Sequence, residues 1–142
     1  MKGPQNLYLQ YIKAIDKAFP EFNKVARTAI LVCYIRDQAS KSPNALFQDE
    51  YAKLFLNEEI KNAACQLEDV VSNLKRGFIR RTAYFDKQLR HYINESIKQV
   101  LILGSGLDTR SLRLKTSGVD YLKHILSNTV YFPELWELRT KM

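Results

Sequence analysis

Cysteine is almost missing from this chain: Cys33 and Cys65 are the only two in 142 residues. Two thiols are too few for the disulfide framework of a small secreted domain, and two histidines add little toward a metal-ligand set. Both cysteines lie in helix-like apolar patterns, so they are expected as buried, reduced thiols with no metal. A long apolar run is missing too. No stretch approaches the roughly 18 residues that span a bilayer, and Met1-Lys2-Gly3-Pro4 opens a polar segment rather than an apolar signal core. The expectation is a cytoplasmic protein with no membrane partner.

Acidic residues are outnumbered, 15 against 22 lysines and arginines, for a formal net charge of +7. Such a balance points to nucleic acid when the basic residues cluster. Here they are spread along the chain, and the densest group, Lys75, Arg76, Arg80 and Arg81, is interrupted by Gly77, Phe78 and Ile79. A solvated basic surface without a nucleic-acid partner is the better reading. Apolar content of 46% with 26% charged residues suits one globular domain with a real core.

Glycine is scarce, with five in the chain, which makes two of them spaced by a single residue informative. They fall in QVLILGSGLDTRSLRL, residues 99–114, the stretch around which the chain is organised. Val100, Leu101, Ile102 and Leu103 form a continuous apolar run, expected as a strand buried on both faces of a parallel sheet. Gly104, Ser105 and Gly106 break that strand into a tight turn. Asp108 is a natural N-cap, and a helix would begin at Thr109. Strand, turn and helix start together expose backbone N–H groups where part of a nucleotide can sit. The third glycine of the dinucleotide fingerprint is replaced by Thr109, and no GK[ST] follows. Two glycines without the third suit a nucleoside ligand that lacks a pyrophosphate, with S-adenosylmethionine (SAM) the commonest, better than NAD. An ordinary strand-to-helix turn fits the same residues.

Before this stretch the periodicity is helical. Asn6 is placed to cap a first helix whose apolar residues Leu7, Tyr8, Tyr11, Ile12, Ile15 and Phe19 recur until Pro20. A second helix is expected over residues 25–39, with Ala26, Ala29, Ile30 and Cys33 inward and Val32 a further candidate for that face. Lys41-Ser42-Pro43-Asn44 reads as a loop, and residues 50–56 as a short helix carrying Tyr51, Leu54 and Phe55. A third long helix starts near Ile60 with Ala63, Ala64, Leu67, Val70, Val71 and Leu74, and Gly77 is the expected interruption. Residues 85–97 read as a further helix.

Arg81-Thr82-Ala83-Tyr84-Phe85-Asp86, then the strand at residues 99–103, then Gly104-Ser105-Gly106-Leu107-Asp108-Thr109-Arg110 with Arg113-Leu114, occur in one order. Arg27-Thr28-Ala29 and the run ALFQDEYA at residues 45–52 precede them. Together these segments, over residues 25–114, resemble the leucine carboxyl methyltransferase-like family, including its bacterial O-methyltransferase branch. The ordered pair RTxxFD and LGxGLDTRxxRL is far more specific than either part. The resemblance implies an α/β fold, in which a helical N-terminal region, residues 1–98, lies on the lid and substrate side. Residues 99–121 then start a Rossmann-like class I methyltransferase sheet, and an atypical tail fills residues 122–142.

It also implies SAM as cofactor and methyl transfer to a carboxylate or hydroxyl oxygen. By the same resemblance Arg81 pairs with the carboxylate of the SAM methionine moiety, for which a guanidinium fork is apt. The other readings of Arg81 are a surface arginine and a partner of Asp86. Gly104 and Gly106 would let the backbone approach the cofactor, and Ser105 would line the turn. Asp108 belongs to the same turn, more as N-cap than as ligand. Arg110 and Arg113 are expected to form structural ion pairs with Asp86.

After Leu114 the pattern departs. A cofactor domain of this kind needs an acidic residue at the end of its second strand to hold the ribose hydroxyls. Gly118-Val119-Asp120-Tyr121 begins such a strand, but Leu122-Lys123-His124-Ile125 stands where the acid should be. Asp120 comes too early, and Glu134 and Glu137 lie in the aromatic segment YFPELWEL. The residues from Val100 onward are too few for a complete methyltransferase sheet, since each βαβ unit takes roughly 30 residues. The chain therefore reads as the N-terminal part of such an enzyme, as a frameshift or early stop in a longer gene would leave it. Weak or no activity alone is expected. Tail residues such as Leu122, Ile125, Leu126 and Trp136 are apolar enough to dock on a sheet edge, and an uncovered edge would favour self-association. Two other readings stand beside this one: a non-catalytic remnant or interaction module, and a nucleotide-binding oxidoreductase fragment, which Thr109 and the missing acid disfavour.

Overall fold

In the computed structural model the described residues are 24–65 and 67–124, with Lys13, Asp16 and Lys17 besides. Of the helix expected over residues 6–19 only Lys13, Asp16 and Lys17 are among them, each of them helical; the tail beyond residue 124 lies outside. Helix α1, Lys24–Ser40, is the element on which the others pack. Its run of Ile30, Leu31, Cys33, Tyr34 and Ile35 is buried on nearly every side, as a helix apolar over most of its circumference must be. Ser40 Oγ donates to the Arg36 carbonyl at 2.8 Å, and Lys41 and Ser42 close the last turn by N–H bonds to Gln38 and Ala39. The loop expected at Pro43 follows.

The short helix expected over residues 50–56 is a single 3-10 turn, Ala52–Phe55. The Ala52 N–H is caught by Asp49 Oδ1 at 3.1 Å, and Ala52 is fully buried beside Cys33, whose thiol donates to the Ala52 carbonyl at 3.3 Å. Burial pushes the Cys33 thiol up to about 12, because an apolar surround disfavours the thiolate. Asn57 then caps α2, Glu58–Cys65, by accepting the Ile60 N–H at 2.8 Å. Ile60, Ala63 and Ala64 face the core at helical spacing. Cys65, expected to be buried, is exposed at the C-terminal end of this helix.

Helix α3, Glu68–Asn94, is 27 residues long, about 40 Å at the usual rise. It runs straight through Gly77, where an interruption was expected; the long helix begins after Leu67. A Cβ at Gly77 would meet nothing within 4 Å. An exposed glycine costs a helix only about 1 kcal/mol, less than the continuous packing of Phe78, Ile79 and Thr82 returns. The helix stops in a Schellman arrangement: Ile97 N–H reaches the Tyr92 carbonyl and Ser96 N–H the Ile93 carbonyl, both at 3.2 Å. Ser96 occupies the left-handed position with φ 81°. The helix expected over residues 85–97 is thus the last part of α3.

Strand β1, Gln99–Leu103, pairs in parallel with β2, Asp120–His124, from Gln99 opposite Asp120 to Leu103 opposite His124. The crossover carries α4, Arg110–Arg113, a single helical turn. This is the α/β start that the sequence pattern implies. The strand is not buried on both faces, however. Leu101 is 60% and Leu103 71% exposed, as is much of Leu122 across from Leu101. Only the face carrying Val100 and Ile102 is partly covered. Among the described residues no helix is long and apolar enough to cross a membrane.

Candidate functional site

At the C-terminal end of β1 the chain turns on Gly104 (φ 58°) and Gly106 (φ 45°), backbone states that residues with a Cβ rarely adopt. The Asp108 N–H closes the turn onto the Ser105 carbonyl at 2.7 Å. A cleft of about 270 Å³ opens on this turn. Its walls are Thr28, Ala29, Val32 and Arg36 of α1, Arg81 and Thr82 of α3, and residues 104–108 with Arg110. Pockets that enclose a drug-sized ligand run to roughly 300–1,000 Å³, so this cleft suits one end of a cofactor. All five residues singled out from the sequence, Arg81, Gly104, Ser105, Gly106 and Asp108, line it.

Arg81 is exposed at the rim, its guanidinium 5.0 Å from the centre of the Phe78 ring, a stacking that orients the fork. It is not the partner of Asp86. That carboxylate takes Arg110 Nε at 2.9 Å and a bidentate Arg113, whose Nη2 lies at 2.8 Å and whose Nη1 meets the other oxygen. The expected Asp86–Arg110–Arg113 pairing is therefore present, and among the described residues no ion pair holds Arg81.

Ser105 is 7% exposed, and its Oγ is buried with no hydrogen-bond partner. Leaving such a hydroxyl unmet costs about 1–3 kcal/mol, which a ligand in the cleft would relieve. A Cβ on Gly104 would meet nothing within 4 Å, and one on Gly106 would touch Ala29 Cβ at 3.6 Å. The backbone on the Gly104 side is thus open to close approach.

Asp108 acts as a local cap. Its Oδ1 accepts the Arg110 N–H at 2.8 Å, and its Oδ2 meets the Arg110 guanidinium. The helix opens at Arg110 rather than at Thr109, whose φ of −109° and ψ of 3° are not helical. The reason is long-range. Thr109 is 1% exposed, and its hydroxyl donates to Asp49 Oδ2 at 2.6 Å. One helical turn is too short for a useful dipole.

Beneath the cleft lies a buried charge network that the sequence reading missed. Asp49, with its side chain fully buried, accepts Arg36 Nε at 2.8 Å as well as the Thr109 hydroxyl. Arg36 Nη2 donates to the Leu107 carbonyl at 2.6 Å. A signal was available: Arg36 interrupts the apolar run of α1, and a charged residue amid buried neighbours needs a partner.

Asp120 stands at the far end of the sheet. Its N–H bonds the Lys98 carbonyl at 2.8 Å and it pairs with Gln99, about 13 Å of strand from the Gly104 end. It cannot reach the cleft, as its early position in the sequence implied.

Parallel strands joined through a two-glycine turn, with a helix-walled cleft at the strand's C-terminal end, define an α/β chain of the Rossmann-like kind. The family model for leucine carboxyl methyltransferase matches residues 29–125, and the chain belongs to that family. The match continues beyond Leu114, where the motif pattern read by eye stops, and takes in β2. The chain is 27% identical over 114 residues to "O-methyltransferase 1, chloroplastic" of Oryza sativa subsp. japonica, covering 78% of this chain and 32% of the relative. Two other relatives are named provisionally as S-adenosyl-L-methionine-dependent methyltransferases. The one from Mycobacteroides abscessus is 29% identical over 70% of this chain and 38% of its own length. The one from Mycobacterium ulcerans is 31% identical over 63% and 34%. The chain spans about a third of the length of the curated relatives it matches.

Proposed function

We propose that the cleft holds the methionine end of SAM and that the chain carries this half of an O-methyltransferase site, acting on a carboxylate or hydroxyl. SAM supplies a methyl group on a sulfonium, ready for transfer to an oxygen nucleophile. The observation that carries the reading is the buried, unpartnered Ser105 hydroxyl, set in a left-handed glycine turn and facing the same cleft as Arg81. In this reading Arg81 holds the carboxylate, Ser105 and the turn hold neighbouring polar atoms, and Gly104 leaves room for them.

Efficient transfer needs both ends of the cofactor fixed, so that methyl and oxygen meet at near-attack distance. The C-terminal half of β2 is Leu122-Lys123-His124, with no carboxylate for the ribose. Weak binding and little or no turnover by the chain alone follow. Calorimetry with SAM, together with a radiolabelled methyl-transfer assay, tests this. Arg81→Ala should weaken binding by about 1.5 kcal/mol, roughly tenfold, the low end for a hydrogen bond to a charged group at an exposed rim. Arg80→Ala, one residue along α3 and also exposed, should not. Equal losses would reduce the effect to general positive charge. The alternative, a non-catalytic module, draws on the same missing carboxylate and requires that SAM not bind at all.

A further inference from the structure

We infer that Asp49 is a positioning residue for the cleft: through Arg36 and Thr109 it fixes the backbone of residues 104–109 in the shape that the cofactor site needs. The inference rests on the reading of the cleft as a cofactor site and deepens it. Asp49 does not line the cleft, and it lies 60 residues from Thr109 in the chain. Both of its oxygens are engaged: Oδ1 accepts the Ala52 N–H, while Oδ2 accepts Arg36 Nε and the Thr109 hydroxyl, with Arg113 Nε 3.6 Å away. Its own N–H donates to Ser40 Oγ at 2.8 Å, which anchors the loop to the end of α1.

The guanidinium of Arg36 is planar, so one contact orients the others. Once Asp49 holds Nε, Nη2 is aimed at the Leu107 carbonyl, and the same side chain forms part of the cleft wall. Thr109 works on the other flank. Its hydroxyl donates to Asp49 and accepts Arg113 Nε at 3.1 Å, a bridging role that requires a hydroxyl and not merely a β-branched side chain. The turn is thereby held at Leu107 and at Thr109, on either side of Asp108. Without the Asp49 charge, Arg36 would be a buried cation with only a carbonyl to face. The nearest relief would be to swing into the cleft, against the bound cofactor.

The test uses Asp49→Asn, Thr109→Val and Thr109→Ser in the full chain, followed by amide hydrogen exchange and by SAM titration. The amides read are Asp108, Leu112 and Arg113, which bond to the Ser105 and Thr109 carbonyls. In Thr109→Val their exchange should quicken about tenfold, the equivalent of one lost hydrogen bond to a charged group, while α3 amides keep their rates. SAM affinity should fall with it, and Thr109→Ser should restore both. Asp49→Asn should act in the same direction; if it does not fold, the Thr109 pair decides. Uniform acceleration across α1 and α3, or no change at the turn, would overturn the inference. So would wild-type SAM affinity in Thr109→Val alongside a loss in Arg81→Ala. Local acceleration in a chain whose wild type binds no SAM would instead overturn the cofactor reading and uphold the hold of Asp49 on the turn.

Discussion

Leu31 and Leu101 are the same residue type in regular elements of one chain, yet Leu31 is 1% exposed and Leu101 60%. Around α1 the 3-10 turn, α2, α3 and the glycine turn close in from several sides, and the buried carboxylates Asp49 and Asp86 each face arginines. The strand pair has a comparable apolar run but cover on one face only. An apolar run decides what an element can bury, and its neighbours decide what it does bury. Those neighbours are held around α1 by side-chain contacts such as Arg36–Asp49 and Arg36–Leu107, whereas the two strands are joined by their backbone ladder.

The sharpest way to break this contrast is to cut the link between the two regions. Asp86 on α3 holds both arginines of α4, and Asp86→Ala would leave Arg113 and Arg110 without that carboxylate. The expected loss is about 3–5 kcal/mol in chemical denaturation, as for a buried ion pair stripped of one member. Leu31→Ala should cost about 2–5 kcal/mol, whereas Leu101→Ala should stay within about 0.5 kcal/mol. A large loss at Leu101 would mean that the sheet face is covered, and the contrast would fail.

Alkaline pH probes the α1 side through Cys33, while Tyr121 of β2, its hydroxyl also pushed up by burial, answers on the strand side. The Cys33 thiol, pushed up to about 12 in the fold from 9.0, stays protonated when the unfolded chain has already lost its proton. Its contribution to stability is complete below pH 9.0 and is lost as pH rises through about 12. Denaturation midpoints should fall less steeply over that window in Cys33→Ala than in wild type. In the native chain a thiol reagent should label Cys65 and spare Cys33 until unfolding. The smallest expected effect lies at the junction before β1. Ser96→Gly removes a left-handed strain but adds unfolded-state freedom, for a net gain below about 1 kcal/mol, seen as a small rise in Tm.

Local patterns were legible in the sequence, and distant pairings were less so. The α1 periodicity, the loop at Pro43, the strand before Gly104 and the turn itself follow from side-chain period and glycine placement. The Asp86 pairs were legible through the family motif that contains all three residues. Gly77 misled because propensity is a weak term against the packing of a long helix, and Cys65 because it ends a helix whose inward face is Ala64. The start of α4 was displaced by Asp49, a residue that no local rule connects to Thr109. Five cleft residues could be named in advance. Ala29 and Val32 were legible as inward residues of α1, but that they wall the cleft with Thr28 and Arg36 needed the fold.

The Arg36–Leu107 bond closes 71 residues and the Asp49–Thr109 bond 60. Closing loops of that size costs entropy before any contact returns it, while the turns of α1 and α3 form from neighbours a few residues apart. The cleft is therefore expected to assemble after the helices that wall it. Removing the Thr109 hydroxyl should then speed unfolding and leave the refolding rate nearly unchanged. On a ribosome, Arg36 and Asp49 are made well before Leu107 and Thr109, the residues that they will hold.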